Sequence, residues 1–254
     1  MDLLNSIGLF VGSLISNTLA SLSGGGAGLI QFPLLIFLGL PFGIALATHK
    51  VASVALGVGA ALKHLRQGTL SWGFTLYVIL TGAIGVILGA HLILSFPENI
   101  AEAALGILII SLGIYSLMKK ELGQNENSIN RDTKGMIIGG LGLATIGVLN
   151  GSLTAGTGLF VTLFLIRWFG FNYKQAVALT LVSVGLFWNG IGAVAIYQAG
   201  APIYWPWIPV LLLGSLLGGY LGAHLAHQKS NQLIKRCFEA LTFIIGFKLL
   251  YSLF

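Results

Sequence analysis

The chain has 254 residues, of which 56% are hydrophobic and only 8% are charged. Soluble domains carry about 25% charged residues, so this composition, with a mean hydropathy of +0.93, excludes a soluble globular protein and indicates a polytopic membrane protein. The net charge of +6 is explained by lysine and arginine in cytoplasmic loops, and it is not taken as a sign of a nucleic-acid partner. The single cysteine, Cys237, excludes an internal disulfide and a cysteine-built metal site.

Five apolar segments come first, at residues 3–22, 29–38, 42–65, 70–94 and 100–118. The first is expected to be a retained span and not a cleaved signal peptide, because Met1-Asp2 provides no basic start. A spanning helix needs about 20 apolar residues, so the segment at 29–38 is too short to cross alone. Asparagine and charged residues dominate the next stretch, 119–134, which is expected to be a solvated linker.

The second half repeats this pattern, with apolar segments at 135–149, 159–169, 173–199, 205–226 and 233–254. The clearest marker is GVILGAHL at 85–92 against GGYLGAHL at 218–225, which agree at six of eight positions. We therefore predict two fused repeats, 1–118 and 135–254, that form one domain with the linker between them. The GxxxG spacing in both marker segments places small residues on one helix face and predicts close helix packing.

Basic residues suggest the orientation. If the linker is cytoplasmic, as the positive-inside rule asks, then Lys63, Arg66, Arg167 and Lys174 also fall inside. Each half contributes an odd number of net crossings, so the repeats are predicted to be inverted, with both termini extracytoplasmic. The predicted fold class is an all-α polytopic protein of the cell (inner) membrane, in which each repeat has a broken or re-entrant helix pair plus three spanning helices. Together these make about 8–10 membrane segments.

A break interrupts each repeat at a matching place. The first is Ser23-Gly24-Gly25-Gly26-Ala27-Gly28, and the second is Leu153-Thr154-Ala155-Gly156-Thr157-Gly158. Irregular backbone of this kind must be buried in protein or line a cavity, because lipid cannot satisfy its N–H and C=O groups. Two broken helices in corresponding positions are typical of a transporter's substrate site. We therefore predict that the breaks meet near the midplane and expose backbone N–H groups there.

The Thr48-His49-Lys50 segment lies about two turns into the third segment, roughly 12 Å from its outer end. A lysine at that depth costs about 2.5–3.5 kcal/mol on insertion scales, and it marks a pathway or a partnered charge. Snorkelling of the side chain to the surface is the alternative. The equivalent residue of the second repeat is Leu181, so a cationic site would be asymmetric.

Carboxylates in the spans are limited to Glu102 and Glu239, both near helix ends, which argues against an acidic cage for sodium or calcium. We expect no cofactor and no metal site. Hydroxyls, amides, helix N-termini and one lysine instead favour a small anionic solute. The candidate substrate-binding residues are Ser23, Gly24, Gly25, Gly26, Gln31, Thr48, His49, Lys50, Asn150, Thr154, Gly156, Thr157, Gly158 and Thr180.

Several motifs of the first half occur together: the glycine run followed by Leu29-Ile30, then Pro33, Gly39-Leu40-Pro41 and Ala47-Thr48-His49-Lys50. With these motifs the chain resembles the sulfite exporter TauE/SafE family, also called the toluene-sulfonate uptake permease superfamily. The resemblance implies a membrane transporter for sulfur-containing anions such as sulfite, thiosulfate or organosulfonates. The second break has fewer glycines than many relatives, and His49 stands where relatives have asparagine or serine, which leaves the exact substrate open.

Three other functions were weighed. A membrane-embedded enzyme needs an intramembrane aspartate pair or an HExxH helix, and neither occurs, so the protein is not expected to be an enzyme. A channel needs a filter ring, whereas a duplicated chain favours alternating access. A transporter of the same architecture for an unrelated small anion or a carboxylated metabolite remains the alternative. The sequence leaves open the direction, the coupling ion and assembly into a homo-oligomer.

Overall fold

The structure, a computed structural model, describes residues 3–25, 27–66, 68, 70–92 and 98–251. Helices joined by short turns make up this part of the chain, and it contains no strand. The helices are α1 (Leu3–Ser23), α2 (Gln31–Phe37), α3 (Phe42–Arg66), α4 (Trp72–Leu92), α5 (Glu98–Met118), α6 (Thr133–Ser152), α7 (Thr157–Phe169), α8 (Tyr173–Thr180), a π-helix (Leu181–Trp188), α9 (Asn189–Gln198), α10 (Ile208–Gln228) and α11 (Asn231–Tyr251).

The all-helical membrane fold predicted from the sequence is confirmed. Among the described residues, six helices are long and apolar enough to cross a membrane: α1, α3, α4, α6, the continuous helix Tyr173–Gln198, and Trp205–Gln228. Helices α5 and α11 have 21 residues each. By contrast, α2 has 7 residues and α7 has 13, so they are about 10 and 20 Å long and shorter than the hydrocarbon core. The predicted turn at 94–99 lies largely outside the described residues.

The first helix of each half packs against the penultimate helix of the other half. Helix α1 packs along α10, and α6 packs along α4. The glycines of the GxxxG spacings lie at these contacts: a methyl group at Gly85 or Gly89 would collide with the α6 backbone, and one at Gly218 or Gly222 would collide with α1. The prediction that these glycines serve close helix packing is confirmed.

Two helices form the centre of the molecule. In the most apolar 18-residue stretch of α3, 78% of the residues are buried, and in that of Tyr173–Gln198 72% are buried. The corresponding fraction is 39–44% in the other four apolar helices. Apolar side chains on the outer helices face outward instead; on α4, Leu76, Leu80 and Ile84 are 56%, 59% and 64% exposed and follow each other at one helical turn. This arrangement leaves an apolar perimeter for lipid and a central helix pair shielded from it.

The linker is more ordered than its composition suggests. Most of its side chains are exposed, as expected, but its backbone is tied to the turn after α7, where the Asn127 N–H donates to Gly170 O at 2.8 Å. The Arg131 guanidinium lies 4.3 Å from the ring centre of Phe171 and forms an ion pair with Glu126 at 3.0 Å. Hydrogen bonds from Gln175 and Arg131 lower the pKa of the Glu126 carboxyl below its usual value, so it stays ionised at neutral pH.

Candidate functional site

The two breaks touch each other. After α1 ends, Gly25 has a φ of +135° and packs directly on the second break, where a Cβ at Gly25 would lie 2.5 Å from Gly158 Cα. Only glycine accommodates both this conformation and this approach. A Cβ at Gly28 would likewise lie 3.2 Å from Thr154 Cγ2. In the second break, Gly156 has a φ of +73° immediately before α7 begins. The sequence predicted two interruptions, and the fold places them against each other.

The first break does not offer the free backbone donors that the sequence suggested. The N–H groups of Gly24 and Gly25 both donate to Ala20 O, at 3.0 and 2.8 Å. The Ser23 hydroxyl also turns back to its own helix and donates to Leu19 O at 2.9 Å. Gly26 lies outside the described residues. The first break therefore contributes its shape. In the first turn of α7, Thr157 N–H donates to Thr154 O at 3.4 Å, and the N–H groups of Leu159 and Phe160 donate to Gly156 O at 2.9 and 3.3 Å. The backbone donor that this turn offers to the cavity is therefore the N–H of Gly158.

A cavity of about 30 Å³ lies where the breaks meet. It has room for about two water molecules, and every residue lining it is buried. Half of the predicted site residues line it: Gly25, His49, Asn150, Thr154, Thr157, Gly158 and Thr180. The remaining lining residues were not among the sequence candidates: Ala27, Gly28, Ser53, Leu56, Leu181, Val184, Gly185 and Asn189.

Lys50 is fully buried and lies behind the cavity wall. Its Nζ donates to the backbone carbonyl of Asn150 at 2.7 Å, so the ammonium group is one residue away from the cavity. Within the described part of the chain, the two ion pairs join Arg131 with Glu126 and Lys235 with Glu239, and neither involves Lys50. The snorkelling alternative is wrong, because the side chain extends toward the second break instead of the surface.

The cavity wall at Asn150 is held by a hydrogen-bonded loop. Thr154 donates to Asn150 O at 3.0 Å, and Thr157 donates its only hydroxyl hydrogen to Thr154 O at 2.9 Å. Asn150 Nδ2 is 2.9 Å from Thr157 Oγ1, which must therefore be the acceptor. This fixes the orientation of the amide. Its other side, Asn150 Oδ1, is buried and has no hydrogen-bond partner within the part of the chain that the structure describes.

His49 links the cavity to a polar cluster between α1 and α10. Its Nδ1 lies 2.9 Å from Gln31 Oε1, and because a carbonyl oxygen only accepts, Nδ1 carries a hydrogen. Its Nε2 accepts from the Ser53 hydroxyl at 3.0 Å. Gln31 Nε2 in turn donates to Ser13 and Ser215, at 2.8 and 3.1 Å. Gln31 therefore orients His49 from outside the cavity, which is a supporting role and not the direct contact expected.

The threonine candidates divide into two groups. Thr180 lines the cavity, and its Oγ1 lies 2.9 Å from that of Thr162, which donates to Gly24 O at 2.6 Å and so ties α7 to the first break. Thr48 is buried elsewhere and accepts a hydrogen bond from the Tyr204 N–H at 2.9 Å. Gly24 and Gly156 shape the breaks but do not line the cavity.

A π-helix, Leu181–Trp188, forms part of the cavity wall. It begins at Leu181, the residue that the sequence analysis predicts to be the equivalent of Lys50 in the second half. Three of its residues face the cavity, and Asn189 follows at its end. Single-turn π-bulges in α-helices are found frequently at functional sites, and this longer stretch was not foreseen from the sequence.

Comparison with known proteins identifies the family of the chain. The model of the family described as sulfite exporter TauE/SafE matches residues 9–249. A "Probable membrane transporter protein" of Haemophilus influenzae is 28% identical over 96% of this chain and 94% of its own length. The "Probable membrane transporter protein YfcA" of Escherichia coli strain K12 is 26% identical over 96% and 89%, and YdhB of Bacillus subtilis, with the same description, is 23% identical over 94% and 97%. No solved structure matches the chain. The chain belongs to the sulfite exporter TauE/SafE family and is a multi-pass membrane transporter, not an enzyme.

Proposed function

We propose that this transporter carries a small sulfur-containing anion, such as sulfite, thiosulfate or a short organosulfonate, through the cavity between the two breaks. The observation that carries the proposal is the burial of Lys50 beside that cavity, where no carboxylate of a described residue forms an ion pair with it. A buried ammonium group without an opposite charge is costly. An anion in the cavity would offset that cost, so protonated Lys50 and a bound anion would stabilise each other.

The other cavity groups support an anion over a cation. The first turn of α7 contributes the Gly158 N–H together with the positive end of the helix dipole. The described lining contains no carboxylate. The small volume of the cavity favours a compact oxyanion such as sulfite over a larger organosulfonate or carboxylated metabolite.

The transport mechanism that fits this arrangement is alternating access. We propose that the halves 1–118 and 135–254 are inverted repeats joined by the linker at 119–134, together forming one domain. The reciprocal packing of α1 with α10 and of α4 with α6 supports the duplication. In this scheme the two bundles rock about the contact between Gly25 and Gly158. The linker lies in the cytoplasm and both termini lie on the opposite side of the cell membrane.

Flux into liposomes tests the proposal. Purified protein should carry labelled sulfite with saturable kinetics, and acetate and sulfoacetate should be carried far more slowly, because the first lacks the sulfur oxyanion geometry and the second exceeds the cavity. Empty liposomes set the background. Saturable acetate flux in the absence of sulfite flux would favour the carboxylate alternative. Saturable flux of none of these anions would contradict the proposal.

A further inference from the structure

The Asn150 amide oxygen is a hydrogen-bond acceptor for which the described residues supply no donor. Asn150 is 1% exposed, and its side chain forms part of the cavity wall. Exchanging the two ends of the amide would be costly, because Thr157 would have to give up its hydrogen bond to Thr154 O and Asn150 Oδ1 would then face Asn189 Oδ1 at 3.5 Å. A buried acceptor without a partner is unfavourable, and a donor on a bound molecule would relieve it.

The neighbouring groups do not supply that donor. Lys50 donates to the Asn150 backbone carbonyl and not to its side chain. Asn189 approaches Asn150 through its own oxygen, Oδ1, at 3.5 Å from Asn150 Nδ2. The cavity thus combines groups that attract negative charge with one fixed acceptor. An anion with oxygens alone would leave that acceptor unpaired, whereas an anion that also carries a hydrogen could satisfy both.

We propose that Asn150 Oδ1 accepts a hydrogen bond from the transported anion, so that the site selects anions bearing an O–H or N–H group over anions of equal charge without one. The inference rests on the proposed function. For sulfite it means that the monoprotonated form, hydrogen sulfite, is the bound species, with its hydrogen directed to Asn150 and its oxygens to the α7 N-terminus.

Two anions, sulfamate and methanesulfonate, separate the effect of a hydrogen-bond donor on the ligand from the effects of its charge and size. Sulfamate and methanesulfonate are both monoanions near neutral pH and have nearly the same shape, but sulfamate carries an NH₂ group where methanesulfonate carries a methyl group. Isothermal titration of the detergent-purified full chain should show sulfamate binding about tenfold or more tightly. Asn150→Leu should reduce this preference to within about twofold, because leucine accepts no hydrogen bond.

Asn17→Leu is the matched control. Asn17 is also a buried asparagine whose Oδ1 has no partner among the described residues, and it lies outside the cavity lining. Its Nδ2 donates to Ser215 at 3.0 Å, so this variant alters the polar cluster behind His49 but leaves Asn150 in place, and it should keep the preference for sulfamate. If sulfite binds and the wild type does not prefer sulfamate, the inference is overturned while the proposed function stands. A preference that persists in Asn150→Leu also overturns it. If sulfite, sulfamate and methanesulfonate all fail to bind, the proposed function fails with it.

Discussion

Replacing Lys50 by methionine is expected to weaken sulfite binding about thirtyfold without lowering thermal stability. At an effective dielectric constant of about 20, a unit charge about 7 Å from the anion contributes about 2 kcal/mol, which corresponds to that factor. Methionine is of similar length and removes the charge together with the hydrogen bond to Asn150 O. The Asn150 carbonyl keeps a hydrogen bond from Thr154, so the substitution leaves no buried acceptor unpaired. Isothermal titration of the purified protein measures the affinity for sulfite, and thermal unfolding measures the melting temperature.

The stability result is as informative as the affinity. A buried, unpaired lysine lowers stability, so Lys50→Met should have a melting temperature equal to or above that of the wild type in the absence of anion. Lys63→Met is the control, because it makes the same chemical change in the last turn of α3, where Lys63 lies over the Tyr220 ring at 5.8 Å. It should bind sulfite normally. Unchanged affinity in Lys50→Met would remove the lysine from the site.

Gly25→Ala is expected to abolish transport and to lower the free energy of unfolding by about 2–5 kcal/mol. The positive φ costs an L-residue about 1–2 kcal/mol, and the added methyl group presses on the backbone of Gly158, where the neighbours cannot move aside as a flexible side chain could. Sulfite flux in liposomes and chemical unfolding measure the two effects.

Gly39→Ala isolates the backbone cost from the collision. Gly39 also has a positive φ, +95°, but nothing lies within 4 Å of the position where its Cβ would be. In this variant the free energy of unfolding should fall only by the cost of the positive φ, about 1–2 kcal/mol. Its sulfite flux should equal that of the wild type. If Gly25→Ala lost no more unfolding free energy and no more sulfite flux than Gly39→Ala, the contact between the breaks would contribute neither to stability nor to transport.

The sequence was sufficient for the all-helical membrane fold and for the residues of the two breaks. Long apolar segments, glycine runs and GxxxG spacings each have one dominant structural outcome in a membrane protein, so they could be interpreted without tertiary information. The inverted orientation of the repeats and the cytoplasmic position of the linker remain predictions, since they depend on a membrane frame.

The three consecutive site candidates on α3 reach different places for a geometric reason. Thr48, His49 and Lys50 are consecutive on α3, and neighbours on a helix point about 100° apart. They therefore reach three places: the Tyr204 backbone, the cavity and the Asn150 carbonyl. Ser53 was missed although it follows His49 by one turn, a spacing that puts both on one face and that could have identified it.

Two other features could not have been found from local sequence. The π-helix at Leu181–Trp188 has the sequence LVSVGLFW, which is equally compatible with a regular apolar helix. The occupied donors of Gly24 and Gly25 depend on how α1 ends, because both N–H groups turn back to Ala20 O. The π-helix and the occupied N–H groups both depend on backbone geometry and tertiary packing, which the local sequence does not predict.

Anomalous scattering from selenite, the selenium analogue of sulfite, can locate an anion between the two breaks. In crystals of the protein soaked with selenite, diffraction at the selenium edge should show a peak inside the cavity bounded by Gly25, Asn150 and Gly158. Selenium peaks confined to the surface or the linker, with none between the two breaks, would contradict an anion site at this position.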